Sequence, residues 1–269
     1  MDIRRLDALV GEYVGDSIDS STSRAYASGQ RRYSSFCDSV QCSPFTLAVD
    51  SVCRFVVHLA EGGLQHSSIK GYLSAVRRMQ IVMGLGDPFV ASWPLLECLL
   101  KGVKLRQAKK AESRPQNRLP ITPAILRLLR SFWEADKCNR DNVMLWAACC
   151  TCFFGFLRSG EITVPSLKLY DPGYHLSGGD VRLDRVSQPT RVYVTIKASK
   201  TDPFRKGVTI CLGRTDNDLC PVAAMSAYLV VRWKSEGASP FFQFSSGAPL
   251  TREMLVKRVR EALGPSGLR

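Results

Sequence analysis

The sequence is short of acidic residues, of histidine and of long apolar stretches, and each shortage narrows what the chain can be. Its 269 residues set 37 Lys and Arg against 24 Asp and Glu, a net charge of +13. That balance is unusual for an enzyme of small acidic metabolites. It suits a polyanionic partner, nucleic acid ahead of a membrane surface. A basic surface that only aids solubility is the plain alternative. Only three histidines occur, His58, His66 and His175. They are scattered, so no metal and no cofactor are expected. The longest apolar run, Val143 to Leu157, is interrupted only by Thr151. It falls short of the roughly 20 residues that cross a bilayer and reads as a core helix. The opening "MDIRRLDALVGEYVGDS" has no apolar segment of the signal-peptide kind. Gly178-Gly179 reads as a turn, because the longer glycine pattern of a phosphate loop is missing. These absences together point to an intracellular, reducing location with access to DNA, which is read as nuclear.

Cysteine, by contrast, is plentiful. The ten include Cys149, Cys150 and Cys152 on one apolar segment, with Cys53, Cys98 and Cys211 in apolar stretches elsewhere. In a reducing compartment a free cysteine packs as a small hydrophobe. The group at 149–152 therefore reads as packing.

Two halves differ in pattern. Up to about Lys110 the apolar spacing is helical throughout. Ser20 to Val40 sets Tyr26, Tyr33 and Phe36 at helical intervals, and Thr46 to Ala60 gathers Val49, Val52, Phe55, Val56 and Leu59 on one face before Gly62-Gly63. Ser67 to Met83 buries Ile69, Tyr72, Leu73, Val76 and Met79 and stacks Lys70, Ser74 and Arg77 at i, i+4, i+7. That stripe either follows phosphates or is a solvated face. "KGVKLRQAKKAESRPQNR", 101–118, has no apolar periodicity after Leu105 and reads as a basic linker able to track a DNA backbone.

The second half mixes helix and strand. Thr122-Pro123 caps and opens a helix, and the Val143–Leu157 helix follows, with Trp133 and Trp146 read as core. Val192, Val194 and Ile196 alternate with Tyr193 and Thr195. Val208, Ile210 and Leu212 alternate in the same way, which predicts a hairpin, with a third strand near Val181 to Val186. Cys220-Pro221 opens a helix through Trp233, and Thr251 caps a last one through Leu263. His175 with Tyr174 reads as a loop pair. Arg158 ends the core helix with Glu161 three residues on, and from spacing alone it either holds a phosphate bidentately or pairs structurally with Glu161.

Four stretches in order carry a resemblance. "SSIKGYLSAVRRMQIVMGLGDP", "CTCFFGFLRSGEI", "VYVTIKASKTDPFRKGVTICL" and "DLCPVAAMSAYL" resemble the tyrosine recombinases (the phage-integrase family). The likeness is to the form found in DIRS-type retrotransposons and Cryptons, and it covers nearly the whole chain. It implies a mostly α fold with a small antiparallel sheet, in three parts. These are a helical, SAM-like core-binding domain over 1–110, a basic linker over 111–118 and an α+β catalytic domain, incomplete, over 119–269. Together they would form a C-shaped clamp on double-stranded DNA, with self-association on DNA, and would serve recombination or integration of a mobile element.

In that family a tyrosine attacks the scissile phosphate without metal, and cationic donors stabilise the charge that develops. Carried over by position, Arg158 resembles the first catalytic arginine and Glu161 the acidic residue that supports it structurally. Lys200 resembles the hairpin lysine, with Lys197 and Lys206 as rivals. The implied DNA contacts are Lys70, Ser74, Arg77, Arg78, Lys101, Lys104, Lys109, Lys110, Lys197, Arg205 and Lys206. The family's His-x-x-Arg box has no counterpart, and no tyrosine follows Tyr228. The resemblance therefore implies an inactive chain, with a domesticated or decayed DNA-binding module as the alternative. A helical protein-interaction adaptor is the third reading.

Overall fold

Capping residues decide where the helices begin. The computed structural model describes residues 2–111, 120–136, 139–199, 202, 204–215, 217–232 and 239–267. The chain divides into two compact units, Met1–Asn117 and Arg118–Arg269. In the first, Asp2 accepts from the Arg4 N–H and Asp19 from the Ser21 N–H, opening α1 (Ile3–Asp16) and α2 (Ser20–Ser39). Next come α3 (Val49–Glu61), α4 (His66–Val82) and α5 (Pro94–Ala111). Gly62 ends α3, and Gly63, at φ +84°, turns the chain where a side chain would be strained.

The core of this unit is Tyr33 and Phe36 of α2 against Val52, Phe55, Val56 and Leu59 of α3 and Ile69, Leu73 and Val76 of α4. Helices α2 and α4 come together at Gly29, where an added Cβ would stand 2.8 Å from the Ala75 Cβ. Helix α1 buries no residue. It is latched at its C-terminal end by Arg78 of α4, which donates to the Val14 carbonyl and to Ser17 Oγ at 2.8 Å.

The basic stretch read as a linker from Lys101 is helical as far as Ala111. Two contacts account for this. Val103 is buried in the unit's core. Gln107 donates to the Leu64 carbonyl and accepts from the His66 N–H, both at 2.8 Å, so α5 clamps the α3–α4 turn. Residues 112–118 of that expected linker lie outside the described residues.

In the second unit Thr122 accepts from the Ile125 N–H with Pro123 at the first turn of α6 (Pro123–Glu134). Asn139 caps α7 (Arg140–Phe154), and α8 (Ser159–Ile162) is a single turn. Strands β1 (Val181–Leu183), β2 (Arg191–Ile196) and β3 (Val208–Gly213) form an antiparallel sheet in sequence order, with Val194 opposite both Val181 and Ile210. Val192, Val194 and Ile196 are buried, as their alternation requires.

Helices α9 (Pro221–Val231) and α10 (Arg252–Leu263) complete the unit, with Thr251 accepting from the Met254 N–H. Trp233, the expected end of α9, lies outside the described residues. Helix α7 is the centre of the core, its Met144, Leu145, Ala147, Ala148 and Cys150 buried beside Trp133, Met225 and Tyr228. The fold is mostly helical with a small three-stranded antiparallel sheet.

One boundary corrects the sequence reading. The apolar run does not stay helical to Arg158. Phe156 takes a left-handed φ of +51°, and the Leu157 N–H returns to the Cys152 carbonyl at 3.0 Å, which stops α7 at Gly155. Arg158 is instead the N-cap residue of α8, and it is exposed. No burial cost falls on its guanidinium.

Candidate nucleic-acid interface

Arg158 is set by the residue three positions on. The Glu161 carboxylate accepts the Arg158 backbone N–H at 2.8 Å and its Nη1 at 3.2 Å. This is half of a capping box, because a guanidinium has no acceptor to return the bond. Glu161 is nearly buried, at 10% side-chain exposure, while Arg158 keeps 59%. The remaining N–H donors of Arg158 have no partner among the described residues, an arrangement that can meet an anionic oxygen pair. The strands lie close by: a Cβ on Gly155 would come within 2.8 Å of Ile210 Cδ1. That packing brings β3 against the junction from which Arg158 projects.

The hairpin lysines divide. Lys197 is 24% exposed, and its Nζ meets Asp180 Oδ2 at 2.6 Å and the Pro172 carbonyl at 2.6 Å. Asp180 in turn accepts from the Ser177 N–H and Oγ. Lys197 therefore pins the end of β2 to the segment before β1. Arg205 and Lys206 are exposed. Lys200 lies outside the described residues.

In the first unit Lys70, Ser74 and Arg77 are all exposed, while Ile69, Leu73, Val76 and Met79 are buried. Ser74 Oγ donates to the Lys70 carbonyl at 3.0 Å. Arg77 forks onto Asp87, with Nε–Oδ1 at 2.9 Å and a second Nη2–Oδ2 bond. The guanidinium there holds the Asp87 carboxyl below its usual range. Arg78 is occupied by α1. Lys101, Lys104, Lys109 and Lys110 of α5 are exposed.

The other singled-out residues are structural in their surroundings. Tyr228 is buried, with its hydroxyl donating to the Phe241 carbonyl at 2.7 Å and accepting from the Gln243 N–H at 3.2 Å. Burial pushes its pKa up. His175 stacks edge-on to Tyr174 with centroids 5.1 Å apart and accepts from the Asp171 N–H at 3.0 Å. Trp133 is core and Trp146 packs against it. Cys149 and Cys152 line an apolar cavity of 400 Å³ with Leu126, Leu129 and Val259. Cys98 and Cys211 are exposed, against the expectation that apolar neighbours in sequence would bury them.

The helix α10 is expected from its Thr251 cap, but its cationic side chains are not among the site residues that the sequence singles out. Arg252, Lys257 and Arg260 line an open cleft of 1140 Å³ together with Glu253 and Glu261. Lys257 lies 3.9 Å from Glu261, whereas Arg252 and Arg260 have no ion pair among the described residues. The spacing of Arg252, Val256 and Arg260 at i, i+4, i+8 is the signal that would have found them. No described helix is long and apolar enough to cross a membrane.

No protein-family model matches the sequence, and no curated protein does. Among solved structures, the chain is similar to a mutant Flpe–DNA Holliday junction complex, at a TM-score of 0.36 and 10% identity, over 94% of this chain and 69% of that one. At that distance the functional reading rests on this chain's own residues.

Proposed function

We propose that the protein binds double-stranded DNA as a tyrosine-recombinase-like protein, in recombination or integration of a mobile element within the nucleus. The observation that carries this reading is Arg158: exposed, oriented by a nearly buried Glu161, and beside the strand pair whose connection bears Lys200, Arg205 and Lys206. Arg158 holds a phosphate, and Lys200 serves as proton donor by its position in the motif. Lys70, Arg77 and the lysines of α5 are the contacts of an N-terminal core-binding domain, with the 111–118 stretch as linker and 119–269 as the catalytic-type domain. Duplex affinity is expected to fall about a thousandfold between 50 and 200 mM salt if about six phosphates are neutralised. A flat titration by fluorescence anisotropy would leave the adaptor reading in its place.

A second reading, DNA binding without strand cleavage, is favoured by Tyr228. A hydroxyl committed to two backbone groups inside a core does not reach a phosphodiester, and a nucleophile must. The 269-residue chain is then expected to leave no covalent adduct on a nicked duplex in a denaturing gel. A protease-sensitive shifted band overturns that expectation, and Tyr174 becomes the residue to replace first.

A further inference from the structure

In the connection between β2 and β3, Phe204 holds an aromatic ring out in solvent. Phe204 is 81% exposed. Beside it the Arg205 N–H donates to the Asp202 carbonyl at 3.2 Å and the Gly207 N–H to Asp202 Oδ2 at 2.8 Å. Arg205 takes a left-handed φ of +51°. Its guanidinium lies 5.2 Å from the centre of the Tyr174 ring, itself part exposed. Tyr174 is fixed by its own N–H on the Asp171 carbonyl at 3.0 Å and by the edge of His175. Two accessible rings, a flat cation over one of them and the exposed Lys206 thus meet at one end of the hairpin.

We propose that Tyr174, Phe204, Arg205 and Lys206 form a stacking site for an unpaired nucleobase in DNA. This rests on the DNA-binding reading above and adds to it the kind of DNA preferred. Any base can stack on an aromatic ring or a guanidinium plane, because each has a π face. In an intact duplex those faces are covered by neighbouring base pairs. Only a bulged, gapped or junction nucleotide offers them. Arg205 and Lys206 supply the cations that hold the adjoining phosphates.

The test compares two labelled duplexes of one sequence, fully paired or with a single bulged 2-aminopurine. Binding is measured by anisotropy and stacking by loss of 2-aminopurine fluorescence. The bulged duplex is expected to bind about tenfold more tightly, within the range of one base stacked on an aromatic side chain. Phe204→Ala should remove that preference and the quenching, and Phe204→Trp should keep both. Equal affinity for the two duplexes, or an unaltered preference in Phe204→Ala, overturns the stacking site and leaves the DNA-binding reading intact. Binding to neither duplex overturns both. Self-association that Phe204→Ala abolishes, with no change in preference, assigns the ring to a protein contact and overturns the proposal.

Discussion

The Glu161 carboxylate takes hold of Arg158 at both ends, the backbone N–H at 2.8 Å and Nη1 at 3.2 Å, while only the carboxylate is screened from water. The pair is an orienting device with little to add to stability, since an ion pair with an exposed member is worth roughly 0–1 kcal/mol. Arg158→Ala is expected to weaken duplex binding about tenfold or more while costing the fold less than about 1 kcal/mol. Glu161→Ala, which frees the cap, should cost about 1 kcal/mol and weaken binding as well. Thermal unfolding and anisotropy on the same variants decide the matter. A large loss of stability in Arg158→Ala with unchanged affinity would make the arginine purely structural.

The cysteines separate by environment. Burial pushes the thiols of Cys149 and Cys150 well up, and that of Cys152 up to about 12. At pH 8 a thiol of that kind is ionised to roughly one part in ten thousand. Brief treatment with an alkylating reagent should therefore modify Cys98 and Cys211 and spare the three on α7, as peptide mass mapping would show. Early labelling of Cys152 would mean that the 400 Å³ cavity opens to reagent.

His175 gives a pH dependence of known sign. Partial burial holds its pKa below the usual 6.5, against a weaker opposing pull from Asp171. A histidine depressed in the fold contributes stability that is present above its unfolded pKa and lost as pH falls through the folded one. The ring's NMR titration should have its midpoint below 6.5. Stability should decline on acidification below that value, with a shallower decline in His175→Gln. A midpoint above 6.5 would show that Asp171 outweighs burial.

What could be read from sequence was local. Thr122 and Thr251 announced α6 and α10 because a cap and its helix lie within three residues, and the period-two runs announced β2 and β3. Arg158 was misplaced because an apolar run does not report where one residue, Phe156, turns left-handed. The second half of α5 reads as linker because its lysines hide one buried valine, Val103, and a glutamine whose partners, Leu64 and His66, lie some forty residues earlier. The Lys197–Asp180 bond spans the turn into β2 and has no signature in either residue's neighbours. Tyr228, the last tyrosine, could be counted, but its place in the core came from packing with Phe241 and Phe242.

Helix α1 has a different status from the rest of its unit. With no fully buried residue, only Leu9 and Val14 half-buried, and Arg78 as its one side-chain latch among the described residues, it has little to lose by parting from α4. Its amides belong to the class that exchange with solvent by local opening, at a small fraction of the free energy needed to open α2, α3 and α4. A protease meeting the native protein would find Ser17 and Ile18, at the joint behind the latch, long before it found the α2–α4 seam at Gly29. Arg78 is also a candidate phosphate contact: Nη2 holds the Val14 carbonyl and Ser17 Oγ, and the other N–H donors of the same guanidinium can meet a phosphate. The same side chain would then couple how firmly this fourteen-residue helix is held to what the far edge of its guanidinium meets.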